Sequence, residues 1–340
     1  MAVDTSVSPY FDDFDESKNY VRVLFKPGVA VQARELTQLQ TSLQNQITSV
    51  GGYLFKDAAK INGPKPIVNL NARTVRLKTT NARNETINVN NFLNTFVVGK
   101  DSEVLGFVEF ATEADDPNLG DPPSIVMSLR RFNSTNDGMF DPNIELSFYK
   151  DYTKALNLDT PDYTALTADN ITKNASSTLS TFSKVVTLTN PNTALSIGDR
   201  LTHPSLTKKL YITRVVSTTE IEISEPPGIV LGGELISYIT AATCPTSIVT
   251  QDVATFYKDG YFVTNTGQKI VPDKRTSYPT KLIAFIADQQ IITSDDDPSL
   301  LDPALESSNY FATGADRLKI DLNLSSLELL EGGKTSIEPG

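Results

Sequence analysis

The sequence predicts an α+β fold that is predominantly β, on the strength of three observations. Short β-branched runs recur along the 340 residues. Turn residues separate these runs, with 19 Pro and 18 Gly spread through the chain and no Trp. This alternation is typical of β domains. The third observation is one exception, since residues 29–50 carry apolar residues at helical spacing and almost no charge.

The first segment, residues 1–28, is predicted to be an extended N-terminal arm. Its polar, acidic stretch is too short to build a core of its own, yet it contains aromatic residues. We expect these aromatic side chains to anchor the arm on a partner protein. They are Tyr10, Phe11, Phe14 and Tyr20. The acidic run at residues 12–16 either docks on a basic neighbour, binds a cation or is simply solvated.

A helix is predicted over residues 29–50, after a turn at Lys26–Gly28. From Leu36 onwards its apolar residues recur at intervals of three and four, and together with Val31 they mark one helical face. They are Val31, Leu36, Leu39, Leu43, Ile47 and Val50. Gly51 and Gly52 are predicted to end the helix at its C-cap, so that residues 1–52 form an assembly element of arm and helix.

Leu36, Leu43 and Val50 repeat every seven residues, with Leu39 and Gln46 in the intervening positions. Such a strip is typical of a coiled coil but is barely two heptads long. The alternative is a helix that packs on its own β-domain, and the sequence leaves both interpretations open.

The other side of the predicted helix carries glutamines in place of the Lys and Glu of a solvated surface. These are Gln38, Gln40, Gln44 and Gln46. An amide side chain can hydrogen-bond to several neighbours without the desolvation cost of an ion. We therefore expect this helix to be covered by other polypeptide, with Leu36, Gln40, Leu43 and Gln44 as partner-binding residues.

Two stretches resemble a family of bacteriophage virion proteins found in large contractile-tailed phages, including cyanophages. The first is "YFDDFDESKNYVRVLFKPGVAVQARELTQLQTSLQNQI", followed by "GGYLFKDAAKINGP". The second, residues 256–324, is specific mainly through "DDDPSLLD" and "GADRLKI". Together they cover about a third of the chain and lie in the order that the family shows.

This resemblance implies a structural component of the tail, in the baseplate or at the attachment of tail fibres. It implies localisation in the virion after assembly in the host cytoplasm, other tail or baseplate proteins as partners, and a homotrimer at a threefold junction. It supplies no catalytic residue. The alternative is a receptor- or carbohydrate-binding tail module that contacts a host surface glycan.

The remaining sequence is predicted to form a split β-domain over residues 53–175 and 241–324. Short strands at spacings of 8–12 residues within 176–240 predict a small inserted β-barrel or sandwich. A Pro- and Asp-rich loop is expected at 113–123, and a tail that is mobile or bound to a partner at 325–340.

Charge and composition argue against several other classes of function. A net charge of −11 leaves no basic surface for a nucleic-acid partner. The acidic N-terminus has no apolar core of a signal peptide, and no run approaches the roughly 20 apolar residues of a membrane span. We therefore expect neither nucleic-acid binding nor membrane insertion.

No motif predicts an enzyme, a cofactor or a metal site. His203, in "LTHPSL", is predicted to be a surface or turn residue, and Cys244, in "AATCPTS", a buried thiol. The run Asp295–Asp297 with Asp302 could ligate a hard cation but lacks the Gly and terminal Glu of an EF-hand loop. We expect it to begin a turn or a helix instead.

Overall fold

The fold is known from a computed structural model, which describes residues 3–100, 103–114, 122–132, 137–303 and 310–328. The helices are α1 (Ala33–Leu54) and α2 (Tyr152–Asn157). The strands are β1 (Lys60–Asn62), β2 (Ile67–Arg76), β3 (Phe96–Gly99), β4 (Leu105–Thr112), β5 (Ser124–Arg131), β6 (Glu145–Tyr149), β7 (Tyr163–Leu166), β8 (Ile171–Leu179), β9 (Val185–Leu188), β10 (Arg200–Thr202), β11 (Leu210–Ser217), β12 (Glu220–Ile223), β13 (Leu231–Thr240), β14 (Thr243–Gln251), β15 (Thr255–Lys258), β16 (Tyr261–Thr264), β17 (Gln268–Ile270), β18 (Lys281–Ile292) and β19 (Arg317–Glu328). The predicted fold class, α+β and mainly β, is confirmed.

The chain divides into two compact units. Unit 1 comprises Met1–Ile67, Thr250–Ile270 and Lys281–Gly340, and unit 2 comprises Val68–Val249 and Val271–Thr280. This division differs from the predicted domains, because residues 53–67 and most of 250–324 group with the arm and helix. The reason is strand pairing: β1 pairs with β15, almost 200 residues away in sequence, and local patterns carry no sign of that partner.

Unit 2 contains an open sheet in which the order of neighbouring strands is β14-β2-β5-β4-β3-β6-β7. β2 to β7 of this sheet all lie within the first part, residues 53–175, of the predicted split β-domain. Apolar side chains from successive strands form its core, among them Val75, Ile125 and Leu146. Phe92 stacks on Phe148 there, with ring centroids 4.0 Å apart. Most of the loop predicted at 113–123 lies outside the described residues.

Unit 2 also contains a small closed barrel of six strands, in the order β10-β11-β12-β9-β8-β13. The predicted inserted β-barrel is therefore present, but it begins at Ile171 and not at residue 176, because Ile171 pairs with Thr240 at the end of β13. Its core includes Tyr238, whose hydroxyl is 2.6 Å from that of Ser177. Burial of the phenol raises the pKa of Tyr238 to about 12.

Unit 1 contains a three-stranded sheet, β1-β15-β16, and a long antiparallel hairpin formed by β18 and β19. The rings of Phe256 on β15 and Phe285 on β18 are 5.0 Å apart. The prediction of a tail over 325–340 was wrong for its first residues, because residues 325–328 complete the ladder opposite Lys281–Ala284. The rest of that predicted tail lies outside the described residues.

The boundaries of α1 differ from the predicted 29–50 at both ends. The helix begins at Ala33, where the carboxylate of Glu35 accepts a hydrogen bond of 2.8 Å from the backbone N–H of Gln32. It continues through Gly51 and Gly52 to Leu54, so the predicted glycine C-cap was wrong. The arm before it contains one 3₁₀ turn, Glu16–Lys18.

Candidate protein-interaction surface

The polar side of α1 packs on its own unit. Ser42 is buried, at 6% exposure. The Gln44 side-chain amide donates a hydrogen bond of 2.8 Å to the carbonyl oxygen of Gly260. The Tyr257 hydroxyl donates a bond of 3.0 Å to the carbonyl oxygen of Thr48. Hydroxyl and amide groups therefore hold the helix against the β15–β16 hairpin.

That hairpin meets the helix at its turn, Asp259-Gly260. Both residues have positive φ, 49° and 87°, which is the conformation that tight hairpin turns require. A Cβ atom on Gly260 would collide with the side chain of Thr48. Glycine at this position therefore serves two purposes, because it permits the turn and lets the hairpin backbone approach α1.

Gly51 permits a second close approach. A Cβ atom built there would lie 2.6 Å from the ring of Tyr257, whereas one on Gly52 would have its nearest neighbour at 3.9 Å. The helix thus passes over the Tyr257 ring at Gly51 instead of ending there. Tyr257, Phe55 and Phe262 form an aromatic cluster beneath this end of the helix, with centroids 5.5–6.0 Å apart.

The apolar side of α1 faces outwards. We call seven positions on this side the outer seam: Ala33, Leu36, Gln40, Leu43, Ile47, Val50 and Leu54. All seven are exposed, and the five larger apolar side chains among them are 50–64% exposed. Full burial of a Leu, Ile or Val side chain stabilises by about 1.5–3 kcal/mol, so this stripe leaves a large part of its burial energy unused.

The spacing of the outer seam alternates between three and four residues over the whole helix. In heptad terms Ala33, Gln40, Ile47 and Leu54 hold one core position, and Leu36, Leu43 and Val50 the other. The predicted repeat of Leu36, Leu43 and Val50 is present, but the predicted intervening positions were wrong. Leu39 is half-buried and flanks the seam, because the packed polar side orients the helix so that the following residue, Gln40, points outwards.

The surroundings of the outer seam carry almost no charge. Arg34 and Glu35, both in the first turn, are the charged residues of α1. The positions that flank the seam are uncharged, namely Thr37, Leu39, Gln44, Gln46, Gly51 and Tyr53. Tyr53 is 91% exposed and enlarges the apolar surface. The surface is therefore both apolar and free of the charges that keep a solvated helix in water.

The four glutamines do not share the single face that was predicted. Gln38 and Gln44 are half-buried on their own unit, Gln46 is exposed beside the seam, and Gln40 lies within it. Of the predicted partner-binding residues on the helix, Leu36, Gln40 and Leu43 are exposed on the outer seam, while Gln44 is used within the chain.

The aromatic residues of the arm divide in the same way. Tyr10 and Phe14 are half-buried, and Phe11 and Tyr20 are exposed. The Tyr10 hydroxyl donates a bond of 2.5 Å to Asp316 at the base of β19, which raises the pKa of Tyr10. Tyr10 thus anchors the arm on its own unit, whereas Tyr20 is available to another molecule.

The acidic run of the arm docks on α1. Asp12 is buried and accepts a hydrogen bond from the hydroxyl of Thr41, while its other carboxylate oxygen has no partner. Asp13 lies 3.5 Å from Arg34 and accepts a bond of 3.2 Å from Gln38. The basic neighbour that the sequence predicted as one alternative is therefore Arg34 of the same chain.

Side chains of the arm between Asp13 and Val23, together with Gln38 and Ser42 of α1, line a cleft of about 290 Å³. The arm contacts the helix at Val21, whose carbonyl oxygen accepts a bond of 3.4 Å from Ser42. Beyond this contact the arm exposes further apolar side chains, including Leu24 at 74%. The arm and the outer seam thus both leave apolar surface of unit 1 uncovered.

The two residues weighed for chemistry are placed as predicted. Cys244 is buried, and this burial raises the pKa of its thiol to about 11, so the thiolate nucleophile is disfavoured. His203 lies in a turn, where its Nδ1 accepts a bond of 3.2 Å from the Ser205 N–H and its Nε2 is 3.3 Å from Glu234.

The aspartate run 295–297 begins a turn, as expected. Asp296 accepts bonds from the backbone and hydroxyl of Thr293, which lower its pKa. Asp297 caps the 3₁₀ turn Pro298–Leu300 through the Ser299 N–H. Among the described residues, no group of three or more His, Cys, Asp or Glu side chains is arranged to hold a metal ion.

Comparison with known proteins gives one match. The model of a family described as "Domain of unknown function (DUF4815)" matches residues 8–126, a segment that contains most of the arm and all of α1. No curated protein and no solved structure matches the chain. Within the described residues, no helix has both the length and the hydropathy that a membrane crossing requires.

Proposed function

We propose that this protein is a structural component of a bacteriophage tail, in the baseplate or at the attachment of tail fibres, and that it acts by protein–protein interaction and not by catalysis. The observation that carries the proposal is the outer seam. The polar side of α1 is packed on its own unit, and its apolar side is exposed to water. The exposed side therefore has the composition of a protein–protein interface and not that of a solvated surface.

The location of that interface in a phage tail is proposed from the sequence resemblance. The stretches that resemble contractile-tailed phage proteins include much of the arm and of α1, and both of these elements leave apolar residues uncovered. The exposed apolar side chains of the arm add to the seam as docking groups for other tail or baseplate proteins. On this proposal the protein resides in the virion and is assembled in the host cytoplasm.

A complementation experiment tests the proposal. A phage that encodes this chain is deprived of the gene, and variants are supplied from a plasmid during infection. The variant Leu43→Glu/Ile47→Glu places two carboxylates on the outer seam, while Ser49→Glu adds one at an exposed position off the seam. Purified particles are then probed for the chain by mass spectrometry.

The wild type and Ser49→Glu are expected in the tail fraction, and Leu43→Glu/Ile47→Glu is expected to be absent from it. Because Leu43 and Ile47 are exposed, the variant should keep the wild-type circular dichroism spectrum. Absence of the wild-type chain from purified particles would refute the tail assignment. Normal incorporation of the seam variant would show that the seam is not the docking surface.

A further inference from the structure

We infer that the outer seam binds further copies of the same chain, through a parallel coiled coil of α1 helices. This inference rests on the proposed function, because it names the occupant of the surface that carries it. Seven consecutive core positions, Ala33 to Leu54, give three heptads, the length at which a heptad pattern specifies a coiled coil. The seam spans the whole helix without an interruption by charge.

The position of Gln40 indicates self-association. It is the single amide in a stripe of aliphatic side chains, and an amide buried against aliphatic groups would lose its hydrogen bonds. In a parallel pair or ring of identical helices, Gln40 lies opposite Gln40 of the next copy, and each amide can donate to and accept from the other. One polar core residue of this kind fixes the register of a coiled coil.

An antiparallel arrangement does not satisfy that amide. Reversing one helix brings Gln40 level with the aliphatic positions of the other half of the seam, such as Ile47. The donor and acceptor groups of Gln40 would then be buried without partners, which costs free energy at each copy. The polarity pattern of the seam therefore selects the parallel orientation.

The absence of charge along the outer seam permits two identical copies to meet there. The chain carries a net charge of −11, so two copies repel each other over most of their surfaces. On α1 the charged residues are confined to Arg34 and Glu35, one of each sign, in the first turn. The core and flanking positions beyond that turn are neutral, which lets identical seams meet without facing like charges. A partner recognised by charge would find no complementary group there.

The packing of α1 on its own unit is compatible with a symmetric bundle of α1 helices from two or three copies. The half-buried positions Gln38, Thr41, Asn45 and Thr48 lie on the side opposite the seam. Each copy would thus carry the rest of unit 1 on the outside of the coiled coil. Two or three copies can close around the seam by rotational symmetry.

Sedimentation of the full-length chain gives the first test. At tens of micromolar the wild type should sediment as a single species of two or three chains. Leu43→Glu/Ile47→Glu should sediment as a monomer, with a dissociation constant raised about 100-fold or more, because core carboxylates would face each other. Ser49→Glu should match the wild type. A monomeric wild type, or a seam variant that still associates, overturns the inference.

Cross-linking tests the orientation. Chains with Val50→Cys are mixed with chains carrying Leu36→Cys and oxidised; Cys244 is buried and does not compete. Parallel helices should yield disulfides between identical variants only, and Ser49→Cys chains should yield none. Disulfides between Leu36→Cys and Val50→Cys chains would overturn the parallel arrangement, because only antiparallel helices bring the two ends of the seam together.

The outcomes separate this inference from the proposed function. If the wild type is monomeric but the seam variant still fails to enter particles, the protein is an assembly component whose seam binds a different protein. If the wild type associates through its seam but is absent from particles, the coiled-coil inference is supported and the tail assignment is refuted.

Discussion

Unit 2 and the helix of unit 1 distribute their side chains in opposite ways. In unit 2 the apolar side chains lie inside, as with Phe92 and Phe148, which are 2% and 0% exposed. In unit 1, α1 turns Ser42 and Gly51 inwards and the leucines of the outer seam outwards. Hydrophobic periodicity therefore identifies the side of a helix that is suited to burial, but it does not say whether the same chain provides the cover.

The inward side of α1 shows how a polar face can hold a helix in place. Its contacts are hydrogen bonds to Gly260 and from Tyr257, together with two close approaches that glycine makes sterically accessible. Each such hydrogen bond contributes about 0.5–1.5 kcal/mol, less than a buried leucine. The helix is thus fixed with its apolar side still available.

The largest expected difference between the two regions is in the cost of truncating an apolar side chain. Phe148→Ala should lower the free energy of unfolding by about 3–5 kcal/mol, because it leaves a cavity under Phe92. Leu43→Ala should change it by less than about 0.5 kcal/mol in dilute, monomeric protein. Urea unfolding at low concentration measures both. A Leu43→Ala cost similar to that of Phe148→Ala would mean that the seam is covered within the chain.

Alkaline pH should weaken the barrel of unit 2 through Tyr238. Its pKa is raised from 10.0 to about 12, so the neutral phenol is the form that the folded state prefers. The stabilisation is complete below the unfolded pKa of 10 and is lost as pH rises towards 12, by about 2–3 kcal/mol in total. The midpoint of urea unfolding, followed from pH 9.5 to 11.5, should fall less steeply in Tyr238→Phe than in the wild type. Equal slopes would contradict the prediction.

The two adjacent glycines of α1 should respond with opposite signs. Gly51→Ala should destabilise by about 1–2 kcal/mol, because its methyl group meets the Tyr257 ring and the strain exceeds the gain in helix propensity. Gly52→Ala, in open space, should stabilise by about 0.5–1 kcal/mol. Thermal unfolding of the two variants and the wild type measures the sign of each change in stability. If both stabilise, α1 does not pass closely over Tyr257.

The smallest expected effect separates an inward glutamine from an outward one. Gln44→Glu should cost about 1 kcal/mol at neutral pH, because a carboxylate cannot donate to the Gly260 carbonyl. Gln46→Glu, at an exposed position, should be neutral within about 0.5 kcal/mol. Both are compared by urea unfolding of monomeric protein. Equal losses of unfolding free energy in the two variants would mean that the Gln44 side chain is solvated and does not bond to Gly260.

Sequence alone was sufficient for several parts of the fold and site. The mainly β class, the presence of a small barrel and the helix itself followed from local periodicity and turn residues. The turn at Asp297–Leu300 followed from a short motif, and burial of Cys244 from its apolar surroundings. The repeat of Leu36, Leu43 and Val50 was also readable, because it lies within a single helix.

The tertiary structure decided which face of α1 is covered and where the helix ends. Both depend on Tyr257 and Gly260, about 200 residues further along the chain, whose hairpin places a ring beneath Gly51 and a carbonyl beside Gln44. The local sequence around Gly51 and Gly52 is equally consistent with a C-cap, since glycine serves both purposes. Local periodicity determined that α1 would form; only packing between distant segments determined that the leucines of the outer seam would face outwards.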